Sequence, residues 1–354
     1  MSVHPHPAEE ASARATRAWT RADARLAAEI DDLFVPNDAR LDERTRVMVT
    51  RTLVALIGRI ETELRRYAAR VLADGGATAR AEMMLEQGDV FARLARARLL
   101  RDVDLLDELL ARVRLDVIAE NLPPSVGGAD APSLLVRLTD VPDTVVARAA
   151  SALLAAQSRR RAASELGNVE AAVLPADVQH RLVWRIAAAL RPGSDPASDR
   201  AIVQAAQRSL AHYDEGERPE SVSMRLAVAI DARAHELGPL LIEALGDRNP
   251  TLLVAVLAHA LRMDQEEVRA MVVDPEGERL WLALRACDLD RPTIAQIALA
   301  LSDADPRRDI EAFADRLDAI AEVPVAEATA ALAPFTLDRD FRAAMAALAR
   351  SERR

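Results

Sequence analysis

Apolar residues recur at every third or fourth position along most of the chain, the spacing that lines one face of an α-helix. The clearest case begins near Leu41, where Leu53, Ile57, Ile60, Leu64, Tyr67 and Val71 follow a 4-3-4-3-4 rhythm. That rhythm is a heptad seam, with Arg59, Glu61, Glu63, Arg65 and Arg66 on the other faces. Asp42 is suited to cap this helix, and the pair Gly75 and Gly76 stops it. An earlier helix is expected from about Glu9 to Leu33, ended by FVPND at 34–38, with 1–8 as a disordered tail. The two form a helical hairpin over 9–76 that is also a candidate dimerisation element. The seam packs either within one chain or between two. Its regularity, set against the looser Trp19, Leu26, Ile30 and Leu33, leans toward a homodimer.

After residue 76 the pattern changes to many short helices with tight breaks, a helical repeat-like domain over 77–354. Two of its helices are expected at 219–236 and 238–246. PPSVGGADAP at 123–132 and RPGSDPASD at 191–199 are candidate sub-boundaries. No run of alternating β-branched and aromatic residues is long enough for a sheet, so the fold class is all-α.

A weak repeat sits inside this region. LTDVPDTVVARAASALL (138–154) aligns without gaps on LGDRNPTLLVAVLAHAL (245–261), pairing Leu138 with Leu245 and Asp140 with Asp247. Further Leu-x-Asp turns occur at Leu100/Asp102 and Leu301/Asp303, each offering a short carboxylate to cap a helix or its turn. The grammar resembles HEAT-type repeats, in which helix pairs stack and bury a continuous core. Irregular spacing makes this an irregular HEAT-like helical-pair solenoid behind the N-terminal hairpin.

RARLLRDVDLLDELLARV, the two aligned turns and DPEGERLWLALRACDLDRPTIAQIALAL together resemble an alphaproteobacterial all-helical family, the domain of unknown function numbered twenty-three thirty-six in that series. The resemblance covers about residues 95–303 and rests on helix pattern and turn words. It implies the all-helical fold and brings no activity.

Composition sharpens the list of exclusions. All 46 basic residues are arginine. Without a lysine amine the chain cannot form a Schiff base, nor place the lysine of a P-loop or a protein kinase. A net charge of −10 argues against a general nucleic-acid binder, whose affinity comes from cationic surface. The single cysteine makes no intramolecular disulfide and suits a reducing cytoplasm. The N-terminus lacks the apolar core of a signal peptide. The longest apolar stretch, TLLVAVLAHAL, is too short to span a bilayer.

Candidate chemistry is thin. LWLALRACDLDRPTIAQIALAL (280–301) has helix-turn-helix spacing, with Cys287 and Leu289 at the turn and Ile294 and Ile297 anchoring the second helix. A recognition helix must offer donors and positive charge to DNA. Thr293 and Gln296 are all this one has, among Asp288, Asp290, Asp303 and Asp305. Those aspartates also raise the Cys287 pKa, so its expected role is a small buried hydrophobe. No two of His4, His6, His180, His212, His235 and His259 stand at the helical i, i+4 metal spacing. His180, followed by Arg181 on an amphipathic helix, has the outline of a phospho-accepting histidine. Neither a catalytic residue, a cofactor-binding residue nor a metal ligand is assigned. The expected function is a non-enzymatic protein-interaction or regulatory scaffold of a bacterial cytoplasm, its partner left open. The alternative is a signalling or transcription-associated factor contacting nucleic acid through 280–301.

Overall fold

The computed structural model of the chain describes residues 16–22, 25, 41–86, 88–123, 132–165, 169, 173–191, 193 and 195–351. Most of the first expected helix, the tail, the FVPND break and most of 123–132 lie outside them. Among the described residues every regular element is helical and no strand occurs. No helix among them is long and apolar enough to cross a membrane.

The helices are capped by the short acids that the sequence places between them. Asp42 accepts from the Thr45 amide at 2.8 Å, Asp89 from Ala92 at 3.0 Å and Asp309 from Ala312 at 2.9 Å. Each satisfies one of the four amides that a helix start leaves without a partner. Several helices end on a left-handed residue that is not glycine, such as Arg262 at φ 53° and Asp288 at φ 57°.

The chain divides into two compact units, each assembled from separate stretches. One comprises Ala27–Val113 and Ala155–Ser221. Its centre is α1 (Glu43–Asp74), packed against α2 (Thr78–Leu85), α3 (Val90–Arg96), α7 (Ala176–Ala189) and α8 (Pro196–Ala211). The seam is filled from within the chain. Leu53, Ile57, Ile60 and Leu64 are between 0% and 5% exposed without any second copy present, while Tyr67 and Val71 are half-buried. The regular spacing that leaned toward a dimer is therefore used up inside this unit, by helices from later in the sequence. A seam reads the same from sequence whichever helices cover it.

The other unit comprises Met1–Leu26, Arg114–Leu154 and Val222–Arg354. The helices α4 (Val103–Asn121), α6 (Thr144–Glu165) and α9 (Pro219–Ile230) each contain a unit boundary. Within this second unit lie α5 (Leu134–Thr139), α10 (Ala234–Gly246), α11 (Pro250–Leu261), α12 (Gln265–Val273), α13 (Glu278–Ala286), α14 (Arg291–Ala304), α15 (Ile310–Glu322), α16 (Val325–Leu332) and α17 (Arg339–Ser351). The helices from α10 to α14 each pack on the next, and α13 also packs on α16. Residues 16–22 are helical, and Arg21 and Arg25 make their ion pairs with Asp274, Glu276 and Glu278.

The two aligned turns have matching geometry: α5 ends at Thr139 and α10 at Gly246, with Asp140 and Asp247 as the respective C-caps. Their aspartates then diverge. Asp247 accepts from the Leu134 amide at the start of α5, across 113 residues, whereas Asn249 caps the next helix through the Leu252 amide. Asp303 falls inside α14, which runs on to Ala304. The break expected after 236 comes earlier. Asp231, at φ 43°, ends α9, and α10 begins at Ala234 with Pro239 inside it. The Glu236 carboxylate, accepting from the Arg233 amide at 2.9 Å, starts that helix ahead of the proline.

Ile60 and Leu64 are both fully buried. Replacing both with Asp puts two uncompensated charges into the core of this unit. We expect loss of the cooperative melt together with a large loss of far-UV helicity, and for Leu64→Ala alone a cost of about 2–5 kcal/mol. A double variant that keeps its helicity while sedimenting at half the wild-type mass would instead return the seam to an interface between chains.

Candidate functional site

The face of α1 turned away from the seam carries the site. Gly58, Arg59, Thr62, Glu63, Arg66 and Arg70 line one wall of a groove of about 920 Å³. Ala55 and Tyr67 belong to the same helix, Arg208 and His212 come from the end of α8, and Val169 also lines it. The volume lies at the upper end of the range of small-molecule and peptide clefts. Packing of α1 on α8 brings the two sets of side chains together.

The charge of the groove is lopsided. Among the described residues it holds four arginines and one glutamate, on a chain with 56 acidic and 46 basic residues. Arg59 is the most enclosed of the four. Burial draws its pKa down, and Glu63, with Oε2 3.9 Å from its Nη1, opposes that shift. Among the described residues, Arg66 and Arg70 meet no carboxylate within ion-pair distance, and both are exposed. Arg208 lies over the Tyr67 ring, 4.9 Å from its centroid, a cation–π contact.

Two polar groups are fixed by backbone. The Thr62 hydroxyl donates to the Gly58 carbonyl at 2.7 Å. His212 holds its Nδ1 2.8 Å from the Arg208 carbonyl. A carbonyl can only accept, so Nδ1 carries the proton and Nε2 is the ring nitrogen left for a ligand. The next residue is pinned as well: Tyr213 donates its hydroxyl to the Leu174 carbonyl, and burial pushes its pKa up to about 12. Tyr213 is thus a neutral donor throughout the physiological range.

Gly58 sits in the middle of α1, and a Cβ built there meets nothing within 4 Å. A glycine inside a helix costs stability relative to alanine, and here no neighbouring atom demands one. The space it leaves is groove.

The other sequence candidates separate clearly. Tyr67 alone of the seam residues joins the site. His212 is there too, though metal spacing drew attention to it for another reason. His4 and His6 lie outside the described residues. His180 is exposed and accepts through Nε2 from the Trp184 indole at 3.1 Å, while Arg181 is committed to Asp102, Asp104 and Asp177. His259 holds Asp231 at 2.8 Å. Among the described residues, no group of His, Cys, Asp and Glu is placed to hold a metal ion.

In the 280–301 stretch, α13 is core: Leu280, Trp281, Ala283 and Leu284 are buried. On α14, Ile294 and Ile297 are buried as expected, Gln296 is exposed, and Arg291 at its start is held by Asp318 at 2.6 Å. Cys287 is the C-cap of α13, and its pKa rises to about 12. The cause is burial, not the neighbouring aspartates that the sequence pointed to.

Sequence reasoning placed Arg59, Glu63 and Arg66 on the outer faces of α1 and gave them no role. The available signal was their register. Arg59, Arg66 and Arg70 share one stripe with Gly58 beside it, whereas the contribution of α8 depends on tertiary packing.

Two outcomes follow from this geometry. Gly58→Ala should stabilise the protein by about 0.5–1 kcal/mol, read as a raised denaturant midpoint; a destabilised variant would show that the space is occupied. Cys287 in the native protein at pH 8 should react with an alkylating reagent on the order of 100-fold slower than a free thiol, since so little thiolate forms. Stoichiometric labelling at the free-thiol rate would show that it is not enclosed.

Compared with protein-family models, curated proteins and solved structures, the chain matches none, so the family resemblance read from its turn words rests on those residues alone.

Proposed function

We propose that this protein is a non-enzymatic interaction or regulatory scaffold, an irregular HEAT-like stack of helical pairs that binds a protein partner in the arginine-lined groove. The observation that carries the reading is the set of exposed arginines, Arg66, Arg70 and Arg208, that line one groove without an acidic partner among the described residues. Other arginines are matched by a carboxylate of the chain, Arg191 with Asp199 at 2.6 Å for one; what distinguishes these three is that they converge on one groove. An arginine fork kept apart from the chain's own carboxylates is ready for an acceptor from outside.

The chemistry of the lining supports binding over turnover. The Thr62 hydroxyl gives its proton to a backbone carbonyl, whereas an activated nucleophile would give it to a side-chain base. The matching turns of α5 and α10, and the succession of packed neighbours from α10 to α15, support the helical-pair reading.

A photo-crosslinking residue in place of Ala55, on the wall of the groove, tests this in the full-length chain. Discrete protein adducts are expected in native lysate, and Arg66→Glu/Arg70→Glu in the same chain should abolish them while leaving helicity unchanged. Absence of any adduct, or adducts indifferent to the charge reversal, would remove the groove as the binding surface.

A further inference from the structure

Along α1 the groove presents its charges in a fixed order: Arg59, Glu63, Arg66, Arg70. With a rise of about 1.5 Å per residue, the successive steps are about 6, 4.5 and 6 Å, a row of about 16 Å. The row is not uniformly positive. A carboxylate stands second, facing the same space as the arginines on either side.

That order discriminates between anions. A polyphosphate or nucleic-acid strand offers an unbroken series of negative charges and would set one of them against Glu63. Single-strand binders also rely on open aromatic faces for bases, and the aromatic ring here, Tyr67, already carries the Arg208 guanidinium. An extended peptide has neither difficulty. Alternate side chains point to the same side at intervals of about 6.6–6.8 Å, and their signs can differ. That interval is close to the two outer steps of the row and about 2 Å longer than the middle one, a difference within reach of the long Glu63 and Arg66 side chains. We infer that the groove takes an extended segment of a partner protein with the pattern acidic-x-basic-x-acidic-x-acidic, its two ends pairing with Arg59 and Arg70 and its one cation with Glu63. Arg208 on the opposite wall supplies further donors to that acidic segment. This rests on the groove being the binding surface, and adds what is bound there.

The strand direction is set by where the lone cation falls, so a peptide and its reversed sequence present the same pattern in opposite polarity. The pattern itself, and not total charge, is what Glu63 reads.

Fluorescence anisotropy on the full chain at low salt, with labelled peptides about eleven residues long, tests the inference. The probes are one carrying Glu-Ser-Arg-Ser-Glu-Ser-Glu, one with Glu in place of that Arg, and a single-stranded RNA homopolymer of similar length. The patterned peptide should bind tightest and weaken with added salt. Arg66→Glu/Arg70→Glu, both exposed positions, should weaken it roughly tenfold or more. Glu63→Arg should reverse the preference between the two peptides. RNA binding tighter than either peptide would overturn the peptide assignment. So would equal affinity of the two peptides, or a preference unmoved by Glu63→Arg. If no peptide binds while the Ala55 adducts persist, the pattern is wrong and the groove reading stands; if both fail, both fall.

Discussion

An arginine taken out of water must take its acceptors with it, and in this chain, where every basic side chain is arginine, that requirement shapes each unit. In the first, Arg218 is buried between α8 and α9, donating to Glu108 at 2.7 Å across 110 residues of sequence, with Glu215 at 3.3 Å and Glu220 at 3.6 Å. In the second, Glu267 accepts from Arg279 at 3.1 Å and from Arg342, the one buried residue of α17. Arg308 is held by the Val272 carbonyl and drawn down to about 10 by its burial, still charged at neutral pH. These pairs add little net energy compared with a well-packed apolar core. Breaking one by removing a single partner is costly, because it strands the other charge. Their effect is to fix which distant segments meet.

The groove arginines are used differently from these buried ones. The residue type that ties distant segments together at Arg218 and Arg279 is left open at Arg66 and Arg70, on a helix whose seam is fully buried at Ile60 and Leu64. The difference cannot come from a shortage of acids, since carboxylates outnumber arginines. It comes from placement: on the groove face of α1 the only acid is Glu63, and it lies nearest Arg59. Electrostatics that folding leaves unsatisfied remain available to a partner, and rigid placement on a packed helix lowers the ordering cost that a partner would otherwise meet.

What the sequence made legible was whatever depends on local spacing. The seam of α1, its Asp42 cap and its stop at Gly75 are visible as a period and two punctuation marks, and all three occur. The aligned Leu-x-Asp turns likewise share their helix ends. What remained hidden depends on tertiary choice. Nothing local says that the seam at Ile57 and Ile60 is covered from within the chain, or that Asp247 reaches back to cap α5. The break placed after 236 falls instead before Ala234, where the Glu236 carboxylate accepts from the Arg233 amide. The groove lay between the two cases. Its arginine stripe was on the page as a register of α1, but a stripe of charge opposite a seam is what any solvated helix shows, and only the arrival of Arg208 and His212 from α8 turns a face into a wall.

One helix therefore serves two purposes that constrain each other. A heptad seam has period 3.5 and a straight α-helix 3.6, so the burial of Leu53, Ile57, Ile60 and Leu64 fixes not only where α1 lies but how it is rotated. The order and height of Arg59, Glu63, Arg66 and Arg70 above the groove floor follow from that rotation. A slip of one residue in the seam would turn every side chain of α1 by about 100° and carry the charged row out of the groove. Gly58 marks the one place where the two purposes conflict: helix stability alone favours a side chain there, while the groove gains its depth from the lack of one. The helix keeps the glycine.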